Sequence, residues 1–245
     1  MRLSIVTVNH GDLLPLIKTI NSVSSQNTLC LEHLIIASGI SSEGAHELEK
    51  KFSGYDRKFI FNKDKSLYNA MNIGLQKASG DYVLFLNGGD EFYSSESIST
   101  IQKNWEPNIC LIFRTLQAYG ADMYIRPGLK HLHNLLKRPG HQGFVAPINR
   151  SNIFYDEKRL LNADGLWMKS NINKYGALIF PDILSRFTLG GISNSPSIKH
   201  SILLFSSNGI KKGMIEILKT LLRALVGARC YYKLLATIRS YDRVC

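Results

Sequence analysis

The feature that most limits the fold is the order of hydrophobic patterns over the first 125 residues. Short apolar runs rich in β-branched residues alternate with longer stretches at helical spacing. Leu3 to Val8, Leu31 to Ile36, Lys58 to Phe61 and Tyr82 to Leu86 read as strands. Between them, helices are expected after Gly11-Asp12 through about Gln26, over Glu43 to Phe52, and over Ser66 to Ala78. Tyr82 to Leu86 is nearly all apolar, so it is expected to be buried on both faces, as in a parallel sheet. The helix after residue 66 places Leu67, Met71, Gly74, Leu75 and Ala78 on one face. This alternation predicts an α/β fold, a doubly wound, mostly parallel sheet flanked by helices.

Beyond residue 107 the pattern loosens, with β-type runs at Cys110–Phe113 and Gln117–Ile125 and helices expected near Leu129–Leu136 and Asn162–Ile172. At 245 residues and 44% hydrophobic, the chain can build one large core and is not disordered. It contains neither G-x-G-x-x-G nor G-x-x-x-x-G-K-[ST], which removes support for dinucleotide and P-loop sites. Cys30, Cys110, Cys230 and Cys245 are scattered, so no zinc or disulfide framework is expected and a reducing cytoplasm fits. The first nine residues do not resemble a signal peptide, and no apolar run reaches the ~18 residues that cross a bilayer.

The net charge of +11 is local. Residues 1–125 carry −2, residues 126–150 carry +5, residues 151–208 carry +2, and residues 209–245 carry +6. A nearly neutral N-terminal half argues against nucleic acid and for two separate anionic contacts. In the last segment Ile210, Met214, Ile217, Leu218, Leu221, Leu225, Ala228, Tyr232 and Leu235 fall on one side of a helical wheel, and Lys211, Lys212, Lys219, Arg223, Arg229 and Lys233 on the other. This is a basic amphipathic helix, or two with a break near Gly227. It suits an anionic membrane surface, or the packing of an ordinary helix on a core.

In doubly wound sheets ligands bind beyond the carboxyl ends of the strands. Asn9-His10-Gly11, Ala37-Ser38-Gly39 and Asn87-Gly88-Gly89-Asp90 occupy those ends. The last can hold a divalent cation and phosphate, or can be an acidic turn that ends a strand.

Several segments together resemble the family 2 glycosyltransferases of GT-A fold, especially the colanic-acid and O-antigen type. They are Ser4–Asn9, Asp64–Gly74 with Tyr68-Asn69-Ala70-Met71-Asn72, Ala78–Asp90, Gly140-His141-Gln142-Gly143, Asn162-Ala163-Asp164 and Phe187–Ser193. The resemblance covers about residues 1–195. It implies a nucleotide-sugar-binding half over 1–125, an acceptor-binding and catalytic half over 126–208, and a basic helical tail over 209–245. Thr7, Asn9, Asp64, Asn72 and Asn87 would contact the UDP-sugar. Asp90 would hold Mn²⁺ or Mg²⁺, Asp164 would be the general base of an inverting transfer, and His141, Arg126 and Arg138 would meet acceptor or donor phosphates. For Asp164 a first-turn helix acid, for His141 a structural hydrogen bond and for the arginines a solvated face are the alternative readings.

The acceptor implied is a polyprenyl-diphosphate-linked sugar in O-antigen or exopolysaccharide assembly. The protein would then sit peripherally on the inner face of a bacterial inner membrane. The family pattern also carries acids where this chain has Ala37, Asn69 and Asn87. A nucleotide-sugar binder without catalysis is therefore a second reading, and a basic nucleic-acid module a third.

Overall fold

A computed structural model describes residues 2–27, 31–52, 57–62, 66–137, 139–148, 153–159, 162–190, 197–198, 201–202 and 210–244. The expected alternation is present as β1 (Leu3–His10), α1 (Leu13–Ser24), β2 (Leu31–Ser38), α2 (Ser42–Lys51), β3 (Arg57–Phe61), α3 (Leu67–Lys77) and β4 (Tyr82–Phe85). Next come β5 (Glu91–Phe92), α4 (Ser97–Lys103), β6 (Cys110–Tyr119), β7 (Asp122–Arg126), α5 (Asn134–Lys137) and β8 (Phe144–Pro147). The chain continues with α6 (Ala163–Tyr175), β9 (Ala177–Thr188), α7 (Ile210–Ile238) and β10 (Asp242–Val244). The strands form one sheet in the order β10-β7-β6-β8-β4-β1-β2-β3, with β9 beside β6 and β5. From β3 to β4 neighbours are parallel. Past β4 the sheet is mixed, with β8, β6, β7 and β10 antiparallel to their neighbours and β9 parallel to β6.

Local chemistry starts the helices where the sequence suggests. The side chains of Asp12, Ser41 and Ser66 accept backbone N–H bonds from Leu14, Gly44 and Asn69, satisfying donors that a helix start leaves open. α3 lies against β1 at Gly74, where an added Cβ would stand 2.4 Å from Val6 Cγ1. Leu67, expected on the buried face, is exposed because the helix begins there, and Tyr68, Ala70 and Met71 face the core instead.

Three expectations change in the second half. Gln117–Ile125 is not one strand: β6 runs on to Tyr119, turns at Gly120 with φ 59°, and returns as β7. Leu129–Leu136 is a 3-10 turn over Leu129–His131 followed by the short α5. The basic C-terminal segment, expected as a helical tail over 209–245, runs on into the sheet. α7 breaks at Gly227 (φ 76°, ψ 157°), a conformation open to glycine. After the break Tyr231, Tyr232 and Ala236 are buried, with Tyr232 packed 4.8 Å from Tyr119 of β6. β10 then joins the edge beside β7, and its Asp242 pairs with the buried Arg114.

Part of the C-terminal charge is also neutralised within the fold. Arg229, Lys233 and Arg243 converge on the buried carboxylate of Asp122 at 2.5, 3.6 and 3.5 Å. The hydrogen bond from Arg229 holds that carboxyl below its ordinary range.

Candidate active site

The parallel strands bring Asn9, Ser38 and Asn87 to one edge of the sheet. The turn after β4 is built from beneath. Thr19 of α1 bonds the carbonyl of Asp90 at 2.7 Å and that of Asn87 at 3.1 Å, and accepts the Gly89 N–H at 2.9 Å. Gly88 sits over Asn9, whose Oδ1 would be 2.1 Å from an added Cβ, so the turn needs glycine there. Asn9 is buried and donates to the Asp12 carbonyl at 3.1 Å. It braces the turn, and only its strand-end position agrees with the expected ligand contact.

The Thr7 hydroxyl is fully buried, 2.8 Å from His33 Nε2 and 2.8 Å from the Leu86 carbonyl. The carbonyl can only accept, so the hydroxyl donates to it and accepts from His33 Nε2–H. The Thr7 hydroxyl ties β1 to β2 and to the end of β4. Asn72 is also consumed internally: it bonds both the carbonyl and the N–H of Tyr155, at 3.0 and 2.8 Å, and reaches Glu157 at 2.6 Å. Asn69 meets the same Glu157 carboxylate at 3.1 Å. Asp64 and Arg138 lie outside the described residues, as does Gly191–Ser193.

Asp90 is buried, and loss of hydration raises its carboxyl to about 7. A side-chain bond from Gln142 and the Asn87 N–H at 3.2 Å oppose the rise only in part. Three residues earlier, Asn87 Oδ1 is buried with no hydrogen-bond partner among the described residues. An under-compensated carboxylate and an orphaned amide oxygen on one turn fit the oxygen-ligand chemistry of a hard divalent cation. Among the described residues no group of three His, Cys, Asp or Glu side chains gathers, so protein ligands would be few.

Gln142 belongs to a 3-10 turn, His141–Gly143, and Ser185 of β9 bonds its carbonyl at 2.7 Å. The neighbouring His141 is buried, stacked 5.2 Å from Phe85 and bonded through Nε2 to Tyr155 Oη at 2.8 Å. Burial lowers its pKa, while the charge of Asp164 pulls it back up. The imidazole ties the turn to Tyr155, which is the structural hydrogen bond named as its alternative reading. Tyr155 stacks between Tyr68 at 5.8 Å and Trp167 at 5.0 Å.

Asp164 lies in the first turn of α6, where the helix dipole favours an anion. The residue before the helix, Asn162, takes φ 68°, a left-handed conformation that asparagine tolerates, and the Ala163 N–H bonds Tyr68 Oη at 3.2 Å. Burial, followed by the Asp164 charge, pushes the Tyr68 hydroxyl up to about 12 and the Tyr155 hydroxyl well above its ordinary value. Gln142 thus meets Asp90, and its neighbour His141 meets Tyr155, whose hydroxyl feels the charge of Asp164. Thr19 and Tyr155 escaped the sequence reading, since neither lies in a recognisable pattern. Arg126 lines a cavity with Lys219 and Arg239.

A sheet with parallel strands, a glycine-containing acidic turn at its carboxyl edge and a second acid across a His-Gln turn defines the class: a GT-A glycosyltransferase. The chain belongs to glycosyl transferase family 2, whose sequence profile matches residues 4–142. It is 31% identical over 100 residues to an uncharacterized glycosyltransferase of Mycobacterium tuberculosis, which covers 39% of this chain and 37% of that protein. In structure it is similar to S. aureus TarS, with TM-score 0.63 and 14% identity over 90% of this chain and 43% of TarS. TarS 1-349 in complex with UDP-GlcNAc gives 0.63 at 14% identity over 86% and 69% of the two chains. The mannosyltransferase PcManGT from Pyrobaculum calidifontis, with GDP-Man and Mn²⁺, gives 0.61 at 12% identity over 96% and 79%. The chain thus spans less than half the length of the curated relative and of TarS.

Proposed function

We propose that the chain is an inverting hexosyltransferase that moves a hexose or N-acetylhexosamine from a UDP-sugar to a polyprenyl-diphosphate-linked sugar, in O-antigen or exopolysaccharide assembly. The observation that carries this reading is the turn after β4, where buried Asp90 meets Gln142 and the Asn87 amide oxygen is left without a partner among the described residues. Asp90, with Asn87 Oδ1, would hold Mn²⁺ or Mg²⁺. When bound, the cation offsets the charge that gathers on a departing diphosphate. Asp164 takes the proton of the acceptor hydroxyl, which is too weak a nucleophile at neutral pH without a base. Tyr68 and Tyr155 hold the start of α6 and keep Asp164 beside an apolar, water-poor wall. Asn9 and Thr19 fix the turn below the donor, and Asn72 holds the loop that carries Tyr155.

The acceptor reading draws on α7. Ile210, Met214, Leu218, Leu221 and Leu225 form one exposed apolar stripe, with Leu225 83% exposed, and Lys219 and Arg223 lie on the other side of the helix. No helix among the described residues is long and apolar enough to cross a membrane. A stripe of this kind beside cations suits the surface of an anionic leaflet on the cytoplasmic side of the inner membrane.

The test is UDP release with Mn²⁺, a panel of UDP-sugars and a lipid-diphosphate-linked sugar acceptor. Asp90→Ala is expected to abolish metal-dependent turnover, and Asp164→Asn to remove transfer while UDP still binds. Near-normal turnover of either variant would exclude its assigned role. Asn87 and Asn69, standing where the family pattern has acids, favour a second reading of a nucleotide-sugar binder without catalysis. Tight UDP binding with no turnover of any donor would establish that one.

A further inference from the structure

The break at Gly227 folds the two arms of α7 over the β6–β7 hairpin and encloses a cavity of about 130 Å³, several times the roughly 30 Å³ share of one water. Three cations reach its walls: Arg126 from β7, Lys219 from the first arm and Arg239 just past the second. The one acid in the lining, Glu216, is 3.0 Å from Lys219. Arg239 makes no ion pair with any described residue. The wall also holds one buried polar group without a partner among the described residues. Tyr124 lines the cavity, and its buried hydroxyl bonds nothing among the described residues.

The cavity adjoins the catalytic turn. In the hairpin Thr115 pairs with Arg126 and Gln117 with Tyr124, so these four side chains form one patch on a single face. Gln117 lines the cavity. Thr115, one pleat repeat or about 7 Å along the strand, abuts Gly140 and Gly143, which flank His141 and Gln142. Its buried hydroxyl is also unpartnered among the described residues. Cations and idle hydroxyl donors therefore run from the cavity to the turn that bonds Asp90. On the opposite side the first arm of α7 leads away along its exposed apolar stripe.

We propose that this elbow cavity binds the phosphate or diphosphate group of the acceptor, with Arg126, Lys219 and Arg239 as counter-charges and Tyr124 as hydroxyl donor. The inference rests on the lipid-linked acceptor proposed above. It adds that the phosphate sits between the apolar stripe and the reacting sugar. The unpartnered Tyr124 hydroxyl and three cations to one acid in the lining suit an anion with several acceptor oxygens.

The experiment is equilibrium binding of inorganic pyrophosphate, farnesyl diphosphate and phosphatidylcholine vesicles containing phosphatidylglycerol to the whole chain, with UDP binding measured in parallel. Farnesyl diphosphate is expected to bind at least tenfold tighter than pyrophosphate. The double variant Lys219→Gln, Arg239→Gln should weaken it at least tenfold, and Tyr124→Phe about threefold, with UDP affinity unchanged in both. Equal affinity for the two diphosphates, both lost in the double variant, would keep the anion site and overturn its lipid source. Undiminished farnesyl diphosphate binding in the variants overturns the proposal, as does its stoichiometric displacement by UDP, which would place it in the donor site. Vesicle binding lost in the variants without any farnesyl diphosphate affinity would assign the cations to the leaflet instead and likewise overturn it. A chain that binds farnesyl diphosphate in this way but turns over no UDP-sugar would fail the proposed activity alone.

Discussion

His33 makes the fold acid-sensitive by a calculable amount. It lies fully buried in β2, directly opposite Arg57 of β3, and spends Nε2–H on Thr7. Burial first, and the Arg57 charge second, lower its pKa from 6.5 to about 3. In the unfolded chain the imidazole protonates below pH 6.5, whereas in the native state it stays neutral until about 3. Its contribution is therefore fully present above 6.5 and lost as pH falls toward 3. At 1.36 kcal/mol per unit the whole window is worth about 5 kcal/mol, and the fall from pH 7.5 to 4.5 about 3 kcal/mol.

Asp90, with its carboxyl raised, works in the opposite sense over much of the same range, so the wild-type profile alone would mislead. The informative quantity is the difference between His33→Gln and wild type. Glutamine keeps a donor for Thr7 and never titrates. Urea unfolding followed by far-ultraviolet circular dichroism, at pH 7.5 and 4.5, should find this difference moving by about 3 kcal/mol in favour of the variant. A difference that stays constant within ~0.5 kcal/mol would mean that solvent reaches the ring and would refute the argument.

Three further outcomes are expected. Asp90→Asn removes a carboxylate that the native state keeps protonated up to about 7 but the unfolded chain ionises near 4. The metal-free variant should be more stable at pH 8, by up to about 4 kcal/mol, with the gain shrinking to nothing by pH 4 in thermal melts. Tyr155→Phe leaves buried His141 Nε2 without its partner, so unfolding free energy should fall by about 1–3 kcal/mol and the UDP-release rate should drop while UDP affinity holds. Gly74→Ala forces a methyl against Val6 and should cost roughly 1–3 kcal/mol, read as a lower urea midpoint; no change would mean that α3 shifts freely on β1.

The sequence was most legible where burial on both faces left an unbroken pattern. β1, β2 and β4 lie in the parallel half, and helices pack over them, so their apolar runs announce them. β8 and β9 were not legible. Phe144–Pro147 is four residues ending in proline, and β9 carries Pro181 and Asp182 with its early residues only partly buried, because β9 pairs at the sheet's irregular flank. In the site, the resemblance located the Asp90 turn and the His-Gln turn. It could not tell a polar side chain that meets a ligand from one that meets a neighbouring strand. Thr7 and Asn72 both bond within the fold, Thr7 to His33 of β2 and Asn72 to Tyr155 in a loop, 26 and 83 residues away.

The aromatic cluster around Tyr155 also gives the protein an optical handle. Of the two tryptophans, Trp167 is buried within 5.0 Å of Tyr155 and bonds the Ile153 carbonyl at 2.8 Å, while Trp105 stands against Tyr82 at the other end of β4. With Trp105 replaced by phenylalanine, emission would come from Trp167 alone, with Tyr155 close enough to hand it excitation energy. Repacking around the His141–Tyr155 bond would then register as a change in wavelength or yield, without a label and before any product is formed.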